Sequence, residues 1–208
     1  MGGRALIEWG VATLALPGQA QSGDRHLVKP VGTGVLVAVV DGLGHGAEAA
    51  SAAQSAVTAL ERHASESPAS LIERCHRALK GTRGAVMSVA VLADPDRSMT
   101  WVGVGNVEGL LLSGDGAARR GPARASLVTR GGIVGSELPR LHPVVHPIAP
   151  GDMLIFATDG IREGFAEGLP PEATPQQLAD QILARHGKGT DDALVLVARY
   201  LGGPGPRG

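Results

Sequence analysis

Three short acidic stretches carry the chemistry that this sequence can offer: Asp41-Gly42, Asp159-Gly160 and Asp191-Asp192. Asp41 ends the apolar run Val35-Leu36-Val37-Ala38-Val39-Val40, Asp159 ends the run 153–158, and Asp191-Asp192 immediately precede the run 194–200. A carboxylate is costly inside a core, so a strand that ends on one places it at the open end of a sheet, where a cation can compensate it. A single strand-end aspartate is ordinarily a turn residue or a helix cap. Three of them, brought side by side, would repel one another severely unless divalent cations were bound. Oxygen-only ligands select hard cations, and with no Cys/His ligand cluster in the sequence Mg²⁺ or Mn²⁺ fits better than Zn²⁺. Two such ions sharing one carboxylate can deprotonate a water and hold it in line with a phosphorus atom. Gly42, Gly44 and Gly46 allow a sharp turn with bare backbone carbonyls beside Asp41.

Other signals compete with this one. Gly42-Leu43-Gly44-His45-Gly46-Ala47 satisfies the G-x-G-x-x-A fingerprint of a dinucleotide-binding oxidoreductase, with Glu61 at about the distance of a ribose-binding acid. Glu61 falls within an alanine-rich helical stretch rather than at the end of a second strand, and Asp41 would repel a pyrophosphate. That reading stays a remote alternative. Cys75 sits mid-helix on an apolar face without the cationic loop that activates a thiolate, so it reads as core. His142 and His146 look like a ligand pair, but Pro143 and Pro147 forbid a helix, and an extended segment sets them about 13 Å apart, too far for one metal. Arg119, Arg120, Arg124 and Arg130 form a loose basic loop, ordinarily a solvated surface.

The elements that must position the aspartates follow from periodicity. Residues 5–16 read as a strand or two short ones, 19–29 as a polar, turn-rich segment around Ser22-Gly23-Asp24, and 35–40 as a buried strand. Residues 47–63 are helical, with Ala49, Ala53 and Ala56 forming a small face that can lie close to a sheet. Ser67-Pro68 opens a second helix that Gly81 ends. Strands follow at 85–93, 99–104, 107–112, 125–129, 144–148 and 153–158, with hairpin turns at Asp94-Pro95-Asp96-Arg97 and at Ser113-Gly114-Asp115-Gly116. A helix over 175–186 and a strand over 194–200 close the chain. Strands, two helices, a meander, one helix and a last strand do not alternate as β-α-β units, which points to an α+β fold with antiparallel sheets.

The chain has 208 residues, enough for one domain with a full core; we expect it to span 1–201, with 202–208 as a disordered Gly/Pro tail. Lys+Arg is 19 and Asp+Glu is 20, a net charge of -1, so there is no basic footprint for nucleic acid or an anionic membrane. Aromatics at 2% leave no stacking platform for bases. One cysteine excludes an intrachain disulfide framework and suits the cytoplasm, and neither a signal peptide nor a transmembrane helix is expected.

Taken in order, Ser22-Gly23-Asp24, Asp41-Gly42-Leu43-Gly44-His45-Gly46, Gly103-Val104-Gly105-Asn106, Ala157-Thr158-Asp159-Gly160 and Thr190-Asp191-Asp192 resemble the metal-dependent PPM-type (type 2C) serine/threonine protein phosphatases. They are most similar to the bacterial SpoIIE-like branch and its small stand-alone phosphatases of stress signalling. The resemblance implies a four-layer α-β-β-α sandwich with two metal ions, Mn²⁺ or Mg²⁺, at one end of the sheets. Asp41 would bridge both ions and Gly42 would offer its carbonyl to one of them. Asp159 and Asp191 would bind the other, and Asp24 would lie near the first. A metal-activated water would then attack phosphoserine or phosphothreonine directly. His45 is the candidate for proton transfer, although Leu43 occupies the place of the histidine that eukaryotic relatives use. Arg25 is the candidate for gripping phosphate. Ala193-Leu194 follow Asp191-Asp192 where many members carry Met-Thr, and Asp191 is favoured over Asp192 as ligand. The implied partners are phosphorylated STAS-type or stress-complex proteins. A non-catalytic phosphoprotein-binding module of the same fold is the alternative.

Overall fold

A computed structural model describes residues 5–114, 124–170 and 172–203. The strands are β1 (Ile7–Leu14), β2 (Asp24–Val31), β3 (Gly34–Gly42), β4 (Ala85–Ala93), β5 (Ser98–Val104), β6 (Glu108–Leu112), β7 (Arg124–Leu127), β8 (Val144–Pro147), β9 (Met153–Ala157) and β10 (Ala193–Tyr200). The helices are α1 (Ala47–Arg62), α2 (Pro68–Ala78) and α3 (Pro175–His186). One sheet has the order β1-β10-β9-β6-β7 and the other β2-β3-β4-β5-β8, and every pairing in both is antiparallel.

Both sheets are buried on both faces, which is why their central strands read as unbroken apolar runs. Along β3, Val35, Val37 and Val39 point into the core between the sheets, where Leu194, Leu196 and Phe156 of the opposite sheet meet them. Leu36, Ala38 and Val40, one residue out of phase, face the core under α1 and α2 with Ala53, Leu60 and Leu71. Val195 and Val197 of β10 pack under α3 against Leu178 and Ile182. Three apolar layers between four structural layers make the expected α-β-β-α sandwich.

Local chemistry sets the helix ends. Ser67 Oγ accepts the Ser70 N–H at 3.3 Å ahead of Pro68, and Thr174 and Gln177 form a reciprocal capping box ahead of Pro175. Gly46 caps α1 at φ 76°, a conformation that disfavours any side chain. Gly42 has another task. A Cβ there would overlap the Ala49 carbonyl, so the missing side chain lets α1 settle directly on the end of β3.

One segment departs from the sequence reading. Residues 24–31 of the polar 19–29 region and its continuation form β2, an edge strand half exposed along most of its length. Half-exposure at almost every position and Pro30 within the strand are tolerated at an edge, and they hid the strand from pattern reading. Residues 5–16 hold one strand, β1, rather than two. The hairpin turn and basic-loop expectations over 115–123 lie outside the described residues, as does the 202–208 tail beyond Gly203, whose N–H still bonds Asp94 Oδ1. Among the described residues no helix is long and apolar enough to cross a membrane.

Candidate active site and metal centre

The ends of the two sheets open into a cleft of about 500 Å³ lined by Asp24, Asp41, Asp159, Asp191 and Asp192. Each arrives by a different route. Asp24 opens β2 and pairs directly across the ladder with Asp41 near the end of β3. Asp159 lies just beyond β9, and Asp191-Asp192 lie just before β10, its antiparallel neighbour. Two carboxylates come from one sheet and three from the other. The three acidic stretches therefore converge as expected, and Asp24 joins them.

The electrostatic state of the cleft follows. Burial pushes the Asp41 carboxyl up to about 8, with Asp24, Asp159, Asp191 and Asp192 adding repulsion. Burial likewise raises Asp24 to about 7; the Thr158 hydrogen bond works against the shift, and Asp192, Asp159 and Asp191 reinforce it. Such a cluster is strained toward protonation until positive charge enters.

Neighbouring side chains fix the carboxylates. Thr158 Oγ1 donates to Asp24 Oδ2 at 2.7 Å and accepts the Leu194 N–H at 2.8 Å. Asn106 Nδ2 donates to Asp159 Oδ2 at 2.9 Å, and Lys188 Nζ donates to the Asp159 carbonyl. Asp192 is 4% exposed; its Oδ1 accepts the Leu16 N–H and its Oδ2 the Gly23 N–H, each at 2.7 Å. Among the described residues Asp191 accepts only the adjacent Asp192 N–H, at 2.8 Å. Asp192 is thus a staple for the turns before β2, and the Asp191 carboxylate is the less engaged of the two.

Other expected residues fall in different places. His45 lines the cleft. Gly42 lies at its edge, between the lining residues Asp41 and Leu43, with its N–H on the Gly23 carbonyl at 3.1 Å. Arg25 turns to its own backbone instead: Nη1 donates to the Ser22 and Asp24 carbonyls at 2.7 and 2.8 Å, so it braces the turn that presents Asp24. The dinucleotide alternative is overturned. β3 is antiparallel to both neighbours, and α1 leads into α2 rather than into a parallel strand, so among the described residues no β-α-β unit exists to hold a pyrophosphate. Cys75 is buried and its thiol is pushed up to about 12 by burial, as a core residue should be. Thr158, Asn106 and Lys188 escaped sequence reasoning as site residues. The first two lay inside motifs already singled out, but nothing local marked their side chains as partners of a carboxylate.

The donor set fits hard divalent cations. It is all oxygen, raised in proton affinity by burial and by mutual repulsion, and open to water. Among the described residues no three acidic or imidazole side chains stand close enough to enclose an ion unaided. Mg²⁺ needs no such cage, because it usually keeps several waters and takes one or two carboxylates.

Sandwich and cleft together define the fold of the PP2C-type phosphatases, and comparison with known proteins agrees. Residues 32–201 match the family model of stage II sporulation protein E (SpoIIE), and the chain belongs to that family. It is 36% identical over 99 residues to the phosphoserine phosphatase RsbX of Bacillus subtilis (strain 168). That alignment takes in 48% of this chain and 50% of RsbX, so it spans about half the length of this curated relative. Among solved structures, a chain from work on the bacterial stressosome as a modular system controlling secondary messenger signalling superposes with a TM-score of 0.83 at 32% identity, over 93% of this chain and 99% of that one. RsbX crystallised with magnesium gives 0.81 at 25% identity, over 93% and 95%.

Proposed function

We propose that this chain is a cytoplasmic, metal-dependent phosphatase that hydrolyses phosphoserine or phosphothreonine on a protein of a stress-signalling complex, of the STAS-domain type. The observation that carries this is the convergence of Asp24, Asp41, Asp159 and Asp191 from both sheets in one open cleft, with Asp24 and Asp41 held at raised proton affinity. The similarity to RsbX, a phosphoserine phosphatase, and to a stressosome chain supports the substrate class and the setting.

Asp41, the Gly42 carbonyl, Asp159 and Asp191, with Asp24 beside them, would hold two Mn²⁺ or Mg²⁺ ions. Bound there, such ions supply Lewis-acid polarisation of the phosphoryl group and lower the pKa of water. The residues of the chain do the rest. Asn106 and Lys188 fix the orientation of Asp159 through its carboxylate and its carbonyl. Thr158 holds Asp24, and Asp192 pins the turn from which Asp24 springs. His45, on the cleft wall, would hand a proton to the seryl or threonyl oxygen as its bond to phosphorus breaks.

The test is turnover of p-nitrophenyl phosphate and of a phosphoserine protein with and without Mn²⁺. Wild type should turn both over only with metal, and Asp41→Asn and Asp159→Asn should lose about a thousandfold in kcat. Metal-independent turnover, or none on either substrate, overturns the reading and leaves a phosphoprotein-binding module.

A further inference from the structure

On the outer face of the molecule, α1 and α2 enclose a groove of about 360 Å³. Arg62, His63, Arg74 and Arg77 line it, with the small side chains of Ala59 and Ala78, and no carboxylate does. Arg74 and His63 are met by Glu66, at 2.8 and 3.2 Å. Arg62 and Arg77 have no ion pair among the described residues. They occupy the last turns of α1 and α2, where a cation favours the helix dipole. The dipole accounts for one basic residue at each helix end. It does not account for both guanidinium groups facing one concave surface with Arg74 between the same helices.

We propose that this groove docks an acidic segment of a partner protein, whose Asp and Glu carboxylates pair with Arg62 and Arg77. Guanidinium forks match carboxylates in bidentate geometry, and the alanines let short acidic side chains reach them. The molecule has a net charge of -1, yet its charges are separated: the cleft gathers aspartates and the groove gathers arginines. An acidic partner is therefore turned away from the cleft and drawn to the helical face. A membrane suits the groove less well, because no large apolar side chain is exposed on α1 or α2 to enter lipid. The groove begins at Ser55, nine residues past Gly46, so it lies about 14 Å along α1 from the end beside the cleft. The docking surface is distinct from the metal centre and does not depend on the phosphatase reading.

The experiment uses the full chain and a fluorescein-labelled decapeptide of alternating Glu and Asp, read by fluorescence anisotropy at low salt. Arg62→Glu/Arg77→Glu should weaken binding at least about tenfold, and Arg62→Gln/Arg77→Gln should weaken it by less. Arg140→Glu, an exposed site outside the groove, should leave it within about twofold, and about 0.5 M salt should abolish it. The Gln pair keeps the test valid if the charge reversals impair folding, which thermal melting would reveal. Undetectable wild-type binding up to about 1 mM peptide overturns the proposal, as does equal weakening by Arg140→Glu. So does wild-type binding to phosphatidylserine vesicles that the peptide fails to displace.

Discussion

Thr158 and Asp24, 134 positions apart in sequence, share a buried 2.7 Å hydrogen bond that joins the two sheets beside the cleft. Thr158 follows β9 in one sheet and Asp24 opens β2 in the other. The same hydroxyl accepts the Leu194 N–H, so one buried side chain serves the sandwich and the acidic cluster together.

Replacing that hydroxyl tests both roles. Thr158→Val keeps the shape but removes a donor from a buried carboxylate and an acceptor from a buried N–H. Stability should fall by about 1–3 kcal/mol in a denaturant titration. The bond holds the Asp24 pKa down, so its loss should also move the rising limb of the metal-dependent pH–rate profile to higher pH. An unmoved limb in a destabilised variant would confine Thr158 to packing.

The adjacent aspartates should separate cleanly. Asp192→Ala leaves the Leu16 and Gly23 N–H groups without their acceptor and should cost about 2 kcal/mol of stability. Asp191→Ala removes a charge from a repulsive cluster, so melting of the metal-free protein should be unchanged or slightly raised, while Mn²⁺-dependent turnover is lost. Melting curves in EDTA and p-nitrophenyl phosphate assays read the two effects. A reversed pattern would assign the ligand to Asp192.

Gly42→Ala drives a methyl group into the Ala49 carbonyl. Overpacking of this kind should destabilise the protein by about 1–3 kcal/mol and shift α1 away from β3, which Asp41 would feel through the backbone. Chemical denaturation measures the first effect, and Mn²⁺ titration calorimetry the second, as weaker affinity.

The acidic cluster predicts opposite pH trends with and without metal. Asp24 and Asp41 rise from the ordinary carboxyl value of 3.8 to about 7 and about 8 in the folded protein. A carboxyl raised on folding binds its proton more tightly in the native state. Its stabilising contribution is full below the unfolded pKa and is lost as pH climbs through the folded one. In EDTA the melting temperature should therefore decline as pH rises from about 5 to about 9. Saturating Mn²⁺ should flatten that decline, and Mn²⁺ affinity should increase over the same interval because protons and metal compete for the same oxygens. A melting temperature that rises with pH in EDTA would mean that the carboxylates are not crowded in solution.

Much of this was legible in the residues because it is local. The run from Val35 to Val40 is apolar at every position because β3 is covered on both faces, and the run stops at Asp41 because the sheet stops there. Ser67-Pro68 and Thr174-Pro175 mark helix starts through bonds that span only a few positions. The ordered aspartates could be read for the same reason, since each closes or opens a strand whose own pattern is clear. What the sequence could not settle depends on which atoms meet across the fold. β2 has no buried face of its own to impose a period, so its edge position emerged only with the sheet. Asp191 and Asp192 are identical in type and adjacent, and only the approach of the Leu16 and Gly23 N–H groups divides the engaged carboxylate from the freer one. Arg25 Nη1 bonds two carbonyls of its own turn through the same kind of close-range contact. Periodicity reports how a residue sits relative to its own strand or helix; hydrogen bonds and charge repulsion between distant segments exist only once the layers have packed.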